Sequence, residues 1–128
     1  DCSSLTTIGN GVLLGTASNS VDFTNAFRSC TNLVTLPANL NLSKGNYFYS
    51  TFRDCSSLVT FPAGAFDTMG TPPNWCFAGT WQGNTALSGA SVDAILDSID
   101  TGTTAPAYTT LASLKGKGWV VIVNGTTL

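Results

Sequence analysis

The sequence predicts an α/β fold: a short solenoid of about 3.5 coils, with one short parallel strand in each coil and a cap at the C-terminal end. Three observations lead to this expectation. A motif recurs along the first two thirds of the chain at offsets of 28, 25 and 29 residues. Aromatic residues and leucines keep fixed positions within the motif. The last part of the chain breaks the pattern and shows helical periodicity instead.

The repeated unit reads F-x3-F-x2-C-x2-L-x2-[LF]-P. Its cysteine position is occupied by Cys2, Cys30 and Cys55, and a degenerate fourth copy has Asn84 there. Periods of this length with a cysteine or asparagine position are typical of leucine-rich repeats, which stack on one another. The residues expected to form the shared repeat core are Leu5, Phe27, Cys30, Leu33, Leu36, Phe52, Cys55, Leu58, Phe61, Phe77, Trp81, Asn84 and Leu87.

Two segments carry a resemblance to a known family. Residues 26–33 read Ala-Phe-Arg-Ser-Cys-Thr-Asn-Leu, and residues 51–58 read Thr-Phe-Arg-Asp-Cys-Ser-Ser-Leu. They resemble the BspA-like leucine-rich-repeat surface proteins, and the resemblance extends over about residues 1–88. The C-terminal part reads Ala-Ser-Val-Asp-Ala-Ile-Leu at residues 90–96 and Gly-Trp-Val-Val at residues 118–121. It is similar to the C-terminal ends of phage tail and virion proteins that carry such repeats. The resemblance implies a surface or adhesive protein, in a family whose partners vary.

The strand of each coil is expected where the leucines recur. Residues 5–8, 33–36 and 58–61 are predicted to be short parallel strands. Pro37 and Pro62 should end two of them, because proline cannot donate a hydrogen bond to a ladder. The segments that lead into the second aromatic residue of each unit are expected to be irregular or single helical turns.

The C-terminal cap is predicted as a helix, a loop, a second helix and a strand. Ser91 should cap a helix that runs to about Ile99, with Val92, Ile95, Leu96 and Ile99 on one apolar face. Residues 108–115 are expected to form the second helix and residues 119–123 the strand. The domain division is therefore residues 1–88 for the repeats and 89–128 for the cap, with one continuous core.

The composition excludes several classes of function. Only 9% of the residues are charged, the net charge is −2, and there is no histidine. A phosphate backbone would meet almost no basic surface, which disfavours nucleic-acid binding. Histidine-dependent nucleophilic catalysis and histidine-ligated zinc are excluded. No apolar stretch approaches the roughly 18 residues of a membrane span. We therefore expect a protein that is not an enzyme, needs no cofactor and is extracellular.

One candidate ligand-binding row consists of Arg28, Arg53 and Gln82, which each follow the second aromatic residue of their unit. Such a row could hold an anionic sugar through forked hydrogen bonds. The alternative is that it only keeps a charge-poor surface soluble, with Asp54 paired to Arg28.

A second group of candidates is uncharged. Tyr47, Tyr49 and Trp75 lie outside the repeat register and offer flat faces for a sugar ring or a protein; packing beneath loops is the alternative. Thr35 and Thr60, together with Val34, Val59 and the pair at residues 6–7, are expected on the concave surface where repeat proteins usually bind.

The cysteines and the aspartates are weaker candidates. Cys2, Cys30 and Cys55 should form a column at roughly the 5 Å spacing of adjacent strands. They are expected to be buried thiols, although neighbours are close enough to pair. Asp93, Asp97 and Asp100 could seed a calcium site, but a solvated helix face explains them more simply. No metal site is therefore predicted.

These observations predict a surface recognition or adhesion module. We expect it at the distal end of a phage tail fibre or virion appendage, binding a glycan or protein of the host surface. A bacterial cell-surface adhesin and a purely structural virion protein are the alternatives. Residue 1 falls within a repeat, so we expect the natural protein to continue beyond it and to oligomerise through that missing N-terminal region.

Overall fold

The computed structural model describes residues 2–10, 20–70, 73, 76–102, 122–123 and 126–127. Its elements are β1 (Val21–Asp22), β2 (Gly45–Tyr47), α1 (Gly89–Gly102), β3 (Ile122–Val123) and β4 (Thr126–Thr127). Strands β1 and β2 pair in parallel, with an irregularity between Val21 and Asp22. Strands β3 and β4 form an antiparallel pair.

The predicted solenoid of about 3.5 coils with a strand in each coil is wrong. The described residues contain one helix, one two-stranded parallel sheet and one antiparallel pair. Residues 5–8, 33–36 and 58–61 are not strands, and an isolated parallel bridge between Thr7 and Thr35 is all that remains of the predicted ladder. The physical reason is that each of these segments shares a single backbone hydrogen bond with the next, which is too few to define a strand.

The predicted cap also needs correction. The helix is α1 (Gly89–Gly102), which begins earlier and ends later than predicted. Its N-terminus is capped by Ser88, whose hydroxyl accepts from the N–H of Ser91 at 3.2 Å. Ser91 is not the cap because its hydroxyl accepts from the N–H of Phe61, at 2.9 Å. The predicted second helix at 108–115 lies outside the described residues, and so does most of the strand predicted at 119–123.

Backbone hydrogen bonds between separate segments are most extensive around the aromatic pairs. We call residues 23–30, 48–55 and 77–84 the aromatic stack, in three layers. Alternate N–H groups of the first layer, those of Phe23, Asn25, Phe27 and Ser29, donate to carbonyls of the second at 2.8–3.0 Å. The second layer donates in the same way to residues 76–82 at 2.7–3.1 Å. Most of the intervening N–H groups close turns within their own layer, whereas the N–H of Thr24 donates to the carboxylate of Asp22.

This alternation requires an unusual backbone. Ser50 and Asp54 have positive φ values of 53° and 60°, and the equivalent residues of the other layers do the same. Those equivalents are Asn25 and Ser29 in the first layer, and Gly79 and Gly83 in the third. A left-handed residue every four positions turns the chain so that every second N–H points to the next layer. Asparagine, aspartate and glycine are residue types that tolerate this conformation.

The rings of the aromatic stack form the centre of the core. Phe23 stacks on Phe48 with ring centroids 5.3 Å apart, and Phe48 stacks on Phe77 at 5.2 Å. Phe27 and Phe52 form a parallel column at 5.3 Å. Phe61, Phe66 and Trp81 meet these columns or one another in edge-to-face contacts. Stacked and edge-to-face pairs are both favourable arrangements for aromatic rings.

The residues expected in the repeat core differ in burial. Cys30, Leu33, Phe52, Cys55 and Leu58 are completely buried, and Leu36, Phe61 and Asn84 are nearly so. Leu5, Phe27, Phe77, Trp81 and Leu87 are half-buried and pack against the buried cluster.

Helix α1 packs against residues 59–67. The hydroxyls of Ser91 and Ser98 accept from the N–H groups of Phe61 and Phe66 at 2.9 and 2.8 Å. Ile95 and Ile99, on the same helix, are buried in the core. The helix therefore supplies both apolar surface and hydrogen-bond acceptors to the last turn of irregular chain.

Candidate functional site

Exposed threonine and valine residues recur at equivalent positions of the repeated unit. We call Thr6, Thr7, Val34, Thr35, Val59 and Thr60 the ledge. Each of its three steps is two exposed residues between two buried or half-buried apolar residues. Val34 and Val59 keep 42% and 41% of their surface exposed and are two of the four large apolar residues exposed among those described.

Backbone hydrogen bonds align the steps of the ledge. The N–H of Val34 donates to the carbonyl of Thr6 at 3.0 Å, and the N–H of Val59 donates to the carbonyl of Val34 at 3.1 Å. The N–H of Ser88 continues the line by donating to Val59 at 3.0 Å. Thr7 and Thr35 form the parallel bridge. The ledge is therefore an aligned series of methyl and hydroxyl groups, flanked on both sides by apolar side chains that are buried or half-buried.

Tyr47 and Tyr49 are the other exposed large apolar residues among those described, at 47% and 52%. Both are held by their backbone, because their carbonyls accept from Phe23 and Asn25 at 2.8 and 3.0 Å. The rings project from the second layer of the aromatic stack. About half of the surface of each tyrosine is exposed.

Arg28, Arg53 and Gln82 occupy equivalent positions of the three layers. The carbonyls of Arg53 and Gln82 accept from the residues that follow Arg28 and Arg53, which places the three in a column. Arg53 forms an ion pair with Asp54, at 3.4 Å between Nε and Oδ2. The expected pairing of Asp54 with Arg28 is not seen, and Arg28 is exposed without an ion pair among the residues described.

All four cysteines are free thiols, and they differ in burial. Cys2 is exposed, whereas Cys30, Cys55 and Cys76 are buried. Burial raises the pKa of the Cys55 thiol to about 11 and that of Cys76 to about 12. The Cys55 thiol donates to the carbonyl of Phe27 at 3.0 Å, and its N–H donates to Asn84 at 3.2 Å. Thiols this basic are poor nucleophiles at neutral pH.

The remaining candidates contribute less. Asp93 and Asp97 are exposed on α1, and the side chain of Asp100 is not described. Among the described residues no three acidic or cysteine side chains gather as a metal site would require. Trp75 lies outside the described residues. No helix in the described part of the chain has both the length and the apolar character needed to cross a membrane.

Sequence reasoning missed two buried hydroxyls that hold the layers in register. Thr51 donates to the carbonyl of Phe23 at 2.8 Å, and Thr80 donates to the carbonyl of Phe48 at 2.7 Å. Both threonines directly precede the second aromatic residue of their unit. That shared position was the available signal, because a hydroxyl recurring inside an apolar repeat needs an acceptor nearby.

Comparison of the chain with protein-family models, with curated proteins and with solved structures finds no significant match in any of the three.

Proposed function

We propose that this protein is a non-enzymatic recognition module that binds a neutral glycan on a cell or virion surface, with the ledge as its main contact. The observation that carries the proposal is the exposure of Val34 and Val59 beside threonines, in steps aligned by backbone hydrogen bonds. Contiguous apolar groups exposed on a small protein mark binding surfaces. Threonine supplies a methyl group and a hydroxyl, which match the mixed apolar and polar faces of a sugar.

The tyrosines extend this surface chemistry. Tyr47 and Tyr49 present flat rings whose backbone is already ordered, so little conformational entropy is lost when a ligand stacks on them. Aromatic side chains of this kind dominate the energy of many binding surfaces. With 9% charged residues, the chain has little electrostatic attraction to offer, so strength must come from several copies on one carrier.

The carrier follows from the resemblance of the repeated motif. One carrier is a phage tail fibre or other virion appendage that binds a host-surface glycan or protein. This carrier agrees with the similarity of the C-terminal part to phage tail and virion proteins. A bacterial adhesin of the BspA-like type agrees with the motif at residues 26–33 and 51–58. Both carriers place the module outside the cell.

The test is binding to a glycan array at two salt concentrations. The double variant Thr35→Asp/Thr60→Asp places charges on the ledge, and Tyr47→Ala/Tyr49→Ala removes the rings. We expect the ledge variant to bind roughly tenfold or more weakly than wild type. Raising the salt from about 0.15 M to about 1 M should leave wild-type binding unchanged, because screening acts on charges.

The matched control is Asp93→Ala/Asp97→Ala, which alters two exposed residues of α1 away from both surfaces. It should bind as wild type does. Wild-type affinity in the ledge variant, at unchanged stability, would refute the proposal. Binding to a protein ligand by the same residues would keep the recognition role and change the ligand class.

A second candidate function is recognition of an anionic sugar by the arginine column. The observation in its favour is that Arg28 is exposed and has no ion pair among the described residues, while Arg53 is oriented by Asp54. Its test is the double variant Arg28→Ala/Arg53→Ala on the same array. Loss of binding to carboxylated sugars, together with strong salt dependence, would favour this candidate over the neutral one.

A further inference from the structure

The first stretch of chain lies beside the segment that follows the first aromatic layer. Residues 2–7 run parallel to residues 30–35 with an offset of 28. Asn32 donates from Nδ2 to the carbonyl of Ser3 at 2.6 Å, Val34 donates to Thr6, and Thr7 pairs with Thr35. The same turn opens both stretches: Leu5 donates to the carbonyl of Cys2 at 2.9 Å, and Leu33 donates to that of Cys30 at 3.1 Å.

This register places Cys2 opposite Cys30. Backbone segments joined by hydrogen bonds in this parallel register lie roughly 5 Å apart, and cysteines whose Cα atoms are about 4.4–6.8 Å apart can form a disulfide. The two side chains already interact. Burial, and after it a hydrogen bond with the side chain of Cys2, raises the pKa of the Cys30 thiol. The backbone register and this side-chain interaction both place the Cys2 and Cys30 thiols beside each other in the reduced protein.

We propose that Cys2 and Cys30 form a redox-sensitive thiol pair, which low-molecular-weight disulfides such as oxidised glutathione convert to a disulfide. The pair is a covalent modification site at the edge of the stacked chain. The disulfide covalently links residues 2–10 to the segment at 30–36. It therefore also links the first step of the ledge to the second. This inference is independent of the ligand that the ledge binds.

The exposure of the thiols favours this pair over the next one in the column. Cys2 is exposed and can meet a dissolved oxidant, while Cys30 and Cys55 are both buried. The Cys55 thiol is also engaged, since it donates to the carbonyl of Phe27 at 3.0 Å. Reaction therefore begins at Cys2, and Cys30 is the thiol beside it.

The chemistry is two successive thiol–disulfide exchanges. The Cys2 thiolate attacks one sulfur of oxidised glutathione, forming a mixed disulfide and expelling one glutathione thiolate. The Cys30 thiolate then attacks the Cys2 sulfur and expels the second. The two protein thiols lose two protons and two electrons, and one oxidised glutathione becomes two glutathione thiols. The second exchange is the slower one, because the raised pKa of Cys30 makes its thiolate scarce.

The experiment treats the reduced, folded chain with oxidised glutathione at about pH 8, followed by mass spectrometry without reduction. We expect a transient product heavier by one glutathione, and then a final product two hydrogens lighter than the starting protein. Peptide mapping should find the peptide of Cys2 joined to that of Cys30. The oxidised protein should also unfold at a higher temperature than the reduced one, because the cross-link constrains the unfolded chain.

Two variants complete the test. Cys2→Ser alters an exposed residue and should give no modified product, since the remaining thiols are buried. Cys55→Ser is the matched control and should still form the Cys2–Cys30 cross-link; if it does not fold, the peptide map of the wild type decides alone. A wild-type product that stops at the glutathione adduct overturns the proposal, as does a Cys30–Cys55 cross-link or the absence of reaction.

Discussion

The aromatic stack and the ledge run through the same layers, yet they are held in different ways. Between two layers of the stack, four backbone N–H groups donate across the gap. Between two steps of the ledge only one does. Buried hydroxyls of Thr51 and Thr80 add further bonds inside the stack. The stack is therefore the rigid part of the molecule, and the ledge is an exposed surface that it supports.

The difference has a backbone origin. The stack has a left-handed residue every four positions, which turns alternate N–H groups toward the next layer. The segments of the ledge have no positive-φ residue, and their leucine N–H groups close turns on the preceding cysteines. The sequence motif therefore repeats as a whole unit, but only the aromatic half of each unit forms an extensive network of backbone hydrogen bonds with the next.

The largest effect should come from emptying the centre of the stack. Phe52→Ala removes a fully buried ring that stacks on Phe27 and contacts Phe61, so we expect it to lower the free energy of unfolding by about 3–5 kcal/mol. Denaturant unfolding measures this. The comparison is Leu58→Ala, which removes a side chain that is also fully buried but lies beside the ledge. A larger loss of unfolding free energy in Leu58→Ala than in Phe52→Ala would contradict the conclusion that the aromatic stack is the main support of the fold. Val59→Ala, exposed, should cost little.

A smaller loss of unfolding free energy should follow from the removal of one buried hydroxyl group. Thr80→Val keeps the shape and removes the donor to the carbonyl of Phe48, which should cost about 1–3 kcal/mol of unfolding free energy. The exposed Thr60→Val is its counterpart on the ledge and should be close to neutral. Equal losses for the two variants would mean that the hydroxyl does not hold the layers.

Glycine substitutions probe the left-handed positions. Gly79 has φ of 66°, and a Cβ there would lie 3.3 Å from Oγ of Ser50. Gly79→Ala should therefore cost about 1–2 kcal/mol through backbone strain. Gly9→Ala is the control outside the stack, because nothing lies within 4 Å of the added Cβ. Thermal unfolding of the two variants distinguishes them. A Gly79→Ala variant that unfolds at the wild-type temperature would contradict the conclusion that a left-handed backbone at this position strains an alanine.

The smallest expected effect is a pH dependence at alkaline pH that comes from Cys76, whose burial raises its pKa from 9.0 to about 12. The folded state keeps this thiol protonated where the unfolded state has lost its proton. Its contribution to stability is complete below about pH 9 and declines as the pH rises towards 12. The difference in unfolding free energy between wild type and Cys76→Ala should therefore shrink over that range. A constant difference would contradict the assignment.

The sequence predicted positions better than it predicted elements. The recurrence of Phe27, Cys30 and Leu33 one unit later led to an expected core, and those residues do lie in or against the buried cluster. The strands were wrong, because hydrophobic alternation does not reveal how many hydrogen bonds a segment can share. The positive φ values of Ser50 and Asp54 could not be predicted from the sequence, because serine and aspartate also suit ordinary turns.

The candidate surfaces were predictable only in part. Thr35 and Thr60 share one position of the repeated unit and were expected on a binding surface, and both are exposed in the structure. The ion pair between Arg53 and Asp54 was not predicted. Only the directions of the side chains decide whether Asp54 pairs with Arg53, which adjoins it in sequence, or with Arg28. The correct start of α1 depended on which of two serines capped it, and the acceptor role of Ser91 towards Phe61 arises only from tertiary packing.

The two serines of α1 that accept from Phe61 and Phe66 lie seven residues apart, two turns of the helix. Along one side, the helix thus offers hydroxyl oxygens to amides that would otherwise face an apolar neighbour. Replacing Ser91 or Ser98 by alanine would leave the N–H of Phe61 or of Phe66 without its side-chain acceptor.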